Sequence, residues 1–183
     1  MTDLTALFAM RLTHDLAGPL GAITTGVDLL DGGDAEVRSL IADGAAAATA
    51  SLRLHRFILV PPDDASVAHG ILASWVASRE GVVLDWRAAP ATPAIVMGLA
   101  MTAAEAARRG GTLTVDGDTV TIAPAPVLDP AVAAALTGAP VAISRAALAG
   151  ILFAAATAAG GRIVVGSDAT SLRLSYQGSA LPR

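Results

Sequence analysis

A chain of 183 residues, 54% hydrophobic, 15% charged and 3% aromatic, has the length for one large domain or two small ones around a core of Ala, Leu, Val and Ile. It contains no Cys and no Lys, which excludes disulfides, thiolate metal sites, Cys nucleophiles and any mechanism that uses a Schiff-base or P-loop lysine. A net charge of −4 with no basic run argues against nucleic acid as a partner.

The longest apolar run, Ala146 to Ala159, falls short of the about 18–20 residues that cross a bilayer, so no membrane association is expected. Asp3, Arg11, His14 and Asp15 interrupt the zone where a signal-peptide core would sit, and the expected location is cytoplasmic.

In chain order, a first helix is predicted from about Leu4 to Leu30, closed by the DGGD of residues 31–34. Asp34 then serves as N-cap of a second helix running to about Leu59. VPPDDAS, Val60 to Ser66, is a break because tandem prolines cannot continue a helix. It sets the expected division into residues 1–62 and 63–183. Beyond it come a helix over Val67 to Arg79, a strand over Val82 to Trp86, and a helix with Thr92 as N-cap, Pro93 at its first position and Gly110 past its end. TLTVDGDTVTIA alternates as two strands joined at Asp116-Gly117. Asp129-Pro130 opens a short helix, Ser144 opens another ending at Gly160-Gly161, and RIVVGSDATSLRLSY forms a closing hairpin. The fold class is α+β: a helical hairpin, then a sandwich with helices on one face of a mixed sheet.

The first helix carries the chemistry. At roughly 100° per residue, Leu12, Leu16, Leu20, Ile23, Val27 and Leu30 fall within an arc of roughly 80°, a predicted core stripe. His14, Gly18, Gly21 and Thr25 cluster roughly 175° away, so His14 is predicted to point outward among small residues. Pro19 lacks an N–H, which frees the Asp15 carbonyl and bends the helix just after the His. An exposed neutral imidazole is a nucleophile toward phosphorus, and a neighbouring carboxylate can hold its tautomer. Transfer to such a ring needs an open, in-line approach.

HDLAGPL, His14 to Leu20, resembles the H-box of histidine kinases, H-E/D-L-R/K-T/N-P-L, at His, Asp, Leu, Pro and Leu. The later residues are similar to the Bergerat-type ATP-binding domain of those kinases, with AALAGILFAAATAAGGRIVVGSDATSLRLSY in the place of its closing helix, Gly-Gly turn and hairpin. The nucleotide boxes are missing. Gly98 and Thr102 stand where asparagines belong, no D-x-G-x-G lies between Thr121 and Ala142, and GAPVAIS replaces the glycine-rich lid.

This combination resembles the ChpT-type histidine phosphotransferases of alphaproteobacteria. The resemblance implies a homodimer with a central four-helix bundle. Its histidine would accept a phosphoryl group from the receiver domain of a hybrid histidine kinase and pass it to response regulators. On that reading His14 is the nucleophile and Asp15 its orienting base. Gly18, Pro19, Gly21, Ala22 and Thr25 form a floor for the receiver, and Arg11, one turn before His14, steers the phosphoryl group. No cofactor is expected: Mg²⁺ would come with the receiver, and no ATP would bind. Gly18 replaces the Thr or Asn that positions a hydrolytic water in kinases, which puts phosphatase activity in doubt and leaves transfer intact. A dimer also follows from geometry, since two helices alone make only a thin core.

Other readings are weaker. An HD-type metal phosphohydrolase needs a His before the His-Asp pair, and none precedes His14. His55 and His69 read as structural or surface residues, Arg108-Arg109 as helix-end charges, and Asp116 and Asp118 as turn residues. The alternative is a pseudo-kinase-like dimeric module that binds and modulates signalling kinases or regulators without being phosphorylated. It differs from the transfer reading only at His14.

Overall fold

The computed structural model describes residues 3–30, 34–124 and 126–178. The chain begins with two long helices, α1 (Leu4–Asp28) and α2 (Ala35–Leu59). Each starts on an aspartate whose side chain accepts from a backbone N–H of the first turn: Asp3 from Thr5, Asp34 from Glu36. The expected closing turn, residues 31–33, lies outside the described residues. After the Pro61-Pro62 break the order is α3 (Ala68–Ala77), β1 (Val82–Ala88), α4 (Pro93–Ala106), β2 (Gly111–Asp116), β3 (Thr119–Ala123), α5 (Pro130–Leu136), α6 (Ala147–Ala158), β4 (Gly161–Ser167) and β5 (Leu172–Gly178). The fold is α+β with a long N-terminal helical hairpin.

The five strands form one mixed sheet in the order β1-β2-β3-β5-β4, parallel only between β1 and β2. Alternation decides which face is covered: Leu113, Val115, Val120, Ile122, Leu172 and Leu174 are buried, while Thr112, Asp116 and Arg173 between them are exposed. Val115 lies opposite Val120, and Val120 opposite Leu174, so one apolar face runs across the centre of the sheet. Helices α4 and α6 cover that face, and the core continues through Leu72 of α3 to Leu54 and Phe57 of α2. The hairpin is thus rooted in the sandwich at its open end: α1 packs on α6, and α2 packs on α3 and α4.

Two glycines set how close helices come. A Cβ at Gly44 of α2 would lie 2.9 Å from the Pro19 carbonyl oxygen, so α1 and α2 meet backbone to backbone there. A Cβ at Gly98 of α4 would run into the Leu152 side chain of α6. Gly98→Asn should therefore destabilise the protein by about 1–3 kcal/mol through overpacking. Chemical denaturation of that variant at an unchanged midpoint would contradict this packing.

The apolar stripe of α1 needs correction. The side of α1 that meets α2 runs through Phe8, Asp15, Pro19, Ala22 and Gly26, centred roughly 80° round the helix from the stripe, with Ile23 of the stripe at its edge against Gly44. Leu20, Val27 and Leu30 are 52%, 54% and 41% exposed. Leu12, Leu16 and Ile23 of the stripe are half-buried, so close packing through small residues leaves Leu20, Val27 and Leu30 outside the single chain.

Candidate functional site

His14 stands on the outer side of α1 and is 90% exposed, where the helical wheel places it. The approach along the helix is open. A Cβ added at Gly18 or Gly21 would meet nothing within 4 Å, and Thr25 is exposed. Pro19 and Ala22, expected on the same floor, are turned instead toward Gly44 of α2. They lie roughly 140° and 80° round the helix from His14, which accounts for the difference.

Behind the imidazole is Asp15. Its Oδ1 is 3.7 Å from His14 Nδ1, an ion-pair distance that a small adjustment would shorten to a hydrogen bond. That leaves Nε2 as the nitrogen without a protein neighbour of this kind. Oδ2 of the same carboxylate turns inward, 3.5 Å from Arg11 Nε and 3.6 Å from His55 Nε2.

Arg11 differs from its expected role. Its guanidinium does not steer outside; it is buried between α1 and the sandwich. Nη2 donates to Glu105 Oε1 of α4, and Nη1 donates to the Arg145 carbonyl oxygen at 2.8 Å. Burial alone would pull the Arg11 pKa down; the charge of Glu105, its hydrogen bond and Asp15 together outweigh that and hold it above the ordinary value. Arg11 is thus a permanent cation that ties the His14 helix to α4 and to the turn before α6.

Beside this strut a cleft of about 470 Å³ opens between α1 and the sandwich. His14, Arg11, Thr102, Glu105, Arg108 and Arg145 line it. Thr102 donates its hydroxyl to the Gly98 carbonyl at 2.9 Å and so stays within its own helix. Arg145 donates to Asp129 Oδ2 at 2.9 Å. Asp129 caps α5, and the Ala131 N–H followed by Arg145 holds its carboxyl below the usual carboxylate range. Arg79 leans over the Trp75 ring and reaches Glu105 at 3.8 Å.

The sequence did not announce the pairing of Arg11 with Glu105 and Arg145, nor that of Asp15 with His55. His55, read as structural or surface, is 2% exposed and its ring faces Asp15. The signal was present: His55 continues the line Gly44, Ala48, Ser51 along α2, the line of small residues that meets α1. Glu105 is the single charged residue of α4, whose other residues from Ile95 on are buried. His69 lies apart, its ring 5.1 Å from that of Trp86. Asp118 does more than shape a turn, since it accepts from the N–H and hydroxyl of Thr92 and fixes the start of α4.

No protein-family model and no curated protein matches the chain. Among solved structures it is similar to a bacterial phosphotransferase, with a TM-score of 0.81 and 22% identity, the match covering 96% of each chain. The likeness shows a shared fold along almost the whole length. No described helix is long and apolar enough to cross a membrane.

Proposed function

We propose that the protein is a histidine phosphotransferase of a bacterial phosphorelay, with His14 accepting a phosphoryl group from a receiver-domain aspartyl-phosphate and passing it to a second receiver. One observation carries the reading. A 90% exposed imidazole has a carboxylate behind it, on a helix whose next two turns outward, at Gly18 and Gly21, carry no side chains. The fold shared with a bacterial phosphotransferase supports it.

In the proposed step the Nε2 lone pair of His14 attacks phosphorus in line. The N–P bond forms as the P–O bond to the receiver's aspartate breaks, and that carboxylate leaves with the bonding pair. The positive charge that develops on the ring rests on Nδ1–H, which faces Asp15 Oδ1. The reverse sequence hands the group on. Mg²⁺ belongs to the receiver in this scheme, and the protein itself uses no nucleotide.

The homodimer belongs to the same proposal. Leu20, Val27 and Leu30 would close against a second hairpin to form a four-helix bundle, leaving His14 on the outside. An all-protein test starts with a receiver phosphorylated from a labelled small phosphodonor and then mixed with this chain. Label should move onto wild type. Gly21→Arg adds a long side chain where there is open space and favours the helix, so it should fold normally yet lose most transfer. Undiminished transfer by Gly21→Arg would remove this face as the docking floor.

A further inference from the structure

The contact behind Asp15 is buried and unsatisfied. Arg11 Nε, Asp15 Oδ2 and His55 Nε2 are all shielded from solvent and none has a hydrogen-bond partner. An orphaned buried polar atom costs about 1–3 kcal/mol, so three converging at one point call for an explanation. The arrangement of His55 supplies one.

His55 Nδ1 lies 2.9 Å from the Ser51 carbonyl oxygen, which can only accept, so Nδ1 must carry a proton. The Ser51 hydroxyl is 3.5 Å from the same nitrogen and is the weaker contact. Nε2 lies 3.6 Å from Asp15 Oδ2, also an acceptor. A neutral ring with its proton on Nδ1 would set a lone pair against the carboxylate. A neutral ring with its proton on Nε2 would set one against the Ser51 carbonyl at 2.9 Å. A ring protonated on both nitrogens presents a donor to each neighbour.

The charges around it allow this. Asp15 on α1 faces His55 directly, with Arg11 beside it. Glu105 of α4 offsets Arg11, while Arg79 shares Glu105 across a small cavity lined by Asp15 and Ser51. The remaining face of the imidazole meets the Phe8 ring edge-on at 5.7 Å.

We propose that His55 is a positioning residue for phosphoryl transfer: protonated on both nitrogens, it bridges the Ser51 carbonyl and Asp15 Oδ2 and so aims Asp15 Oδ1 at His14 Nδ1. The role in transfer rests on the function proposed above; the charge state of His55 does not. With Oδ2 held by His55 and Arg11, Asp15 remains a hydrogen-bond acceptor that fixes the tautomer of His14. It is not a free base that could swing away.

Two measurements separate the claims. In nitrogen-15 NMR of the unphosphorylated full chain at neutral pH, both ring nitrogens of His55 should resonate as protonated, and Asp15→Asn should abolish that signature. A bare nitrogen on His55 in wild type overturns the proposal, whether or not His14 accepts phosphate. In transfer from a phosphorylated receiver, His55→Phe keeps an aromatic ring but no donor, and should slow transfer about 10- to 100-fold, the scale for a misplaced catalytic group. His55→Gln retains a donor for Oδ2 and should recover most of that loss. Equal rates for His55→Phe and wild type overturn the positioning role. If wild type accepts no label at all while His55 is doubly protonated, the phosphotransfer reading fails and the charge assignment stands.

Discussion

Glu105→Ala is expected to lower stability by about 2 kcal/mol, because it removes the main counter-charge of a buried guanidinium. Breaking a fully buried pair typically costs about 3–5 kcal/mol. The figure is smaller here because Glu105 is 28% exposed, and because Arg11 keeps the Arg145 carbonyl and Asp15. In a chain of this length that corresponds to a melting point about 4–8 °C lower. The exposed pair Arg87–Asp85 is the internal control: at 61% and 38% exposure, its removal by Arg87→Ala should cost under about 0.5 kcal/mol. Replacing both partners, Arg11→Met with Glu105→Leu, should recover part of the loss, since the buried guanidinium goes together with its counter-charge and Asp15 keeps His55 as its neighbour. Thermal melts of the four proteins test this. Equal melting points for Glu105→Ala and Arg87→Ala would show that the strut between α1 and α4 carries no more than a surface pair.

The second large effect concerns the stripe on α1. Val27→Arg places a charge in the centre of an apolar row formed with Leu20 and Leu30. In a two-fold dimer the change is made twice, once from each copy. Each copy forfeits the burial of an aliphatic side chain, about 1.5 kcal/mol, so the dimer should weaken by about 3 kcal/mol, or roughly a hundredfold in Kd. The single chain should be unaffected, because Val27 is already exposed in it. Light scattering across a dilution series reads both. A wild type that is monomeric throughout would remove the four-helix bundle from the account.

Much of the fold was legible from local chemistry. The aspartate caps at Asp34 and Asp129, the Pro61-Pro62 break and the Asp116-Gly117 turn each act within a few residues, and the elements begin and end where those residues place them. The outward direction of His14 was legible for the same reason, since a helical wheel needs only the sequence of one helix. What could not be read was which helix each side of α1 would meet. Periodicity distinguishes an apolar stripe from a polar face, but the tight contact with α2 is made by Pro19, Ala22 and Gly26 beside Ile23, and of these Ile23 alone belongs to the stripe. Arg11 and Asp15 lie on that inward side as well, and their partners Glu105, Arg145 and His55 are far away in sequence. Pairings of this kind arise from the packing of whole elements, and no local pattern announces them.

The central claim is that His14 carries a phosphoryl group, and the chemical stability of the transferred label tests it most directly. After mixing with a labelled phospho-receiver, wild type should hold phosphate that survives base and is lost in acid, as a phosphoramidate does, and His14→Ala should hold none. Equal labelling of the two proteins, no label on either, or acid-stable label on wild type would contradict the account.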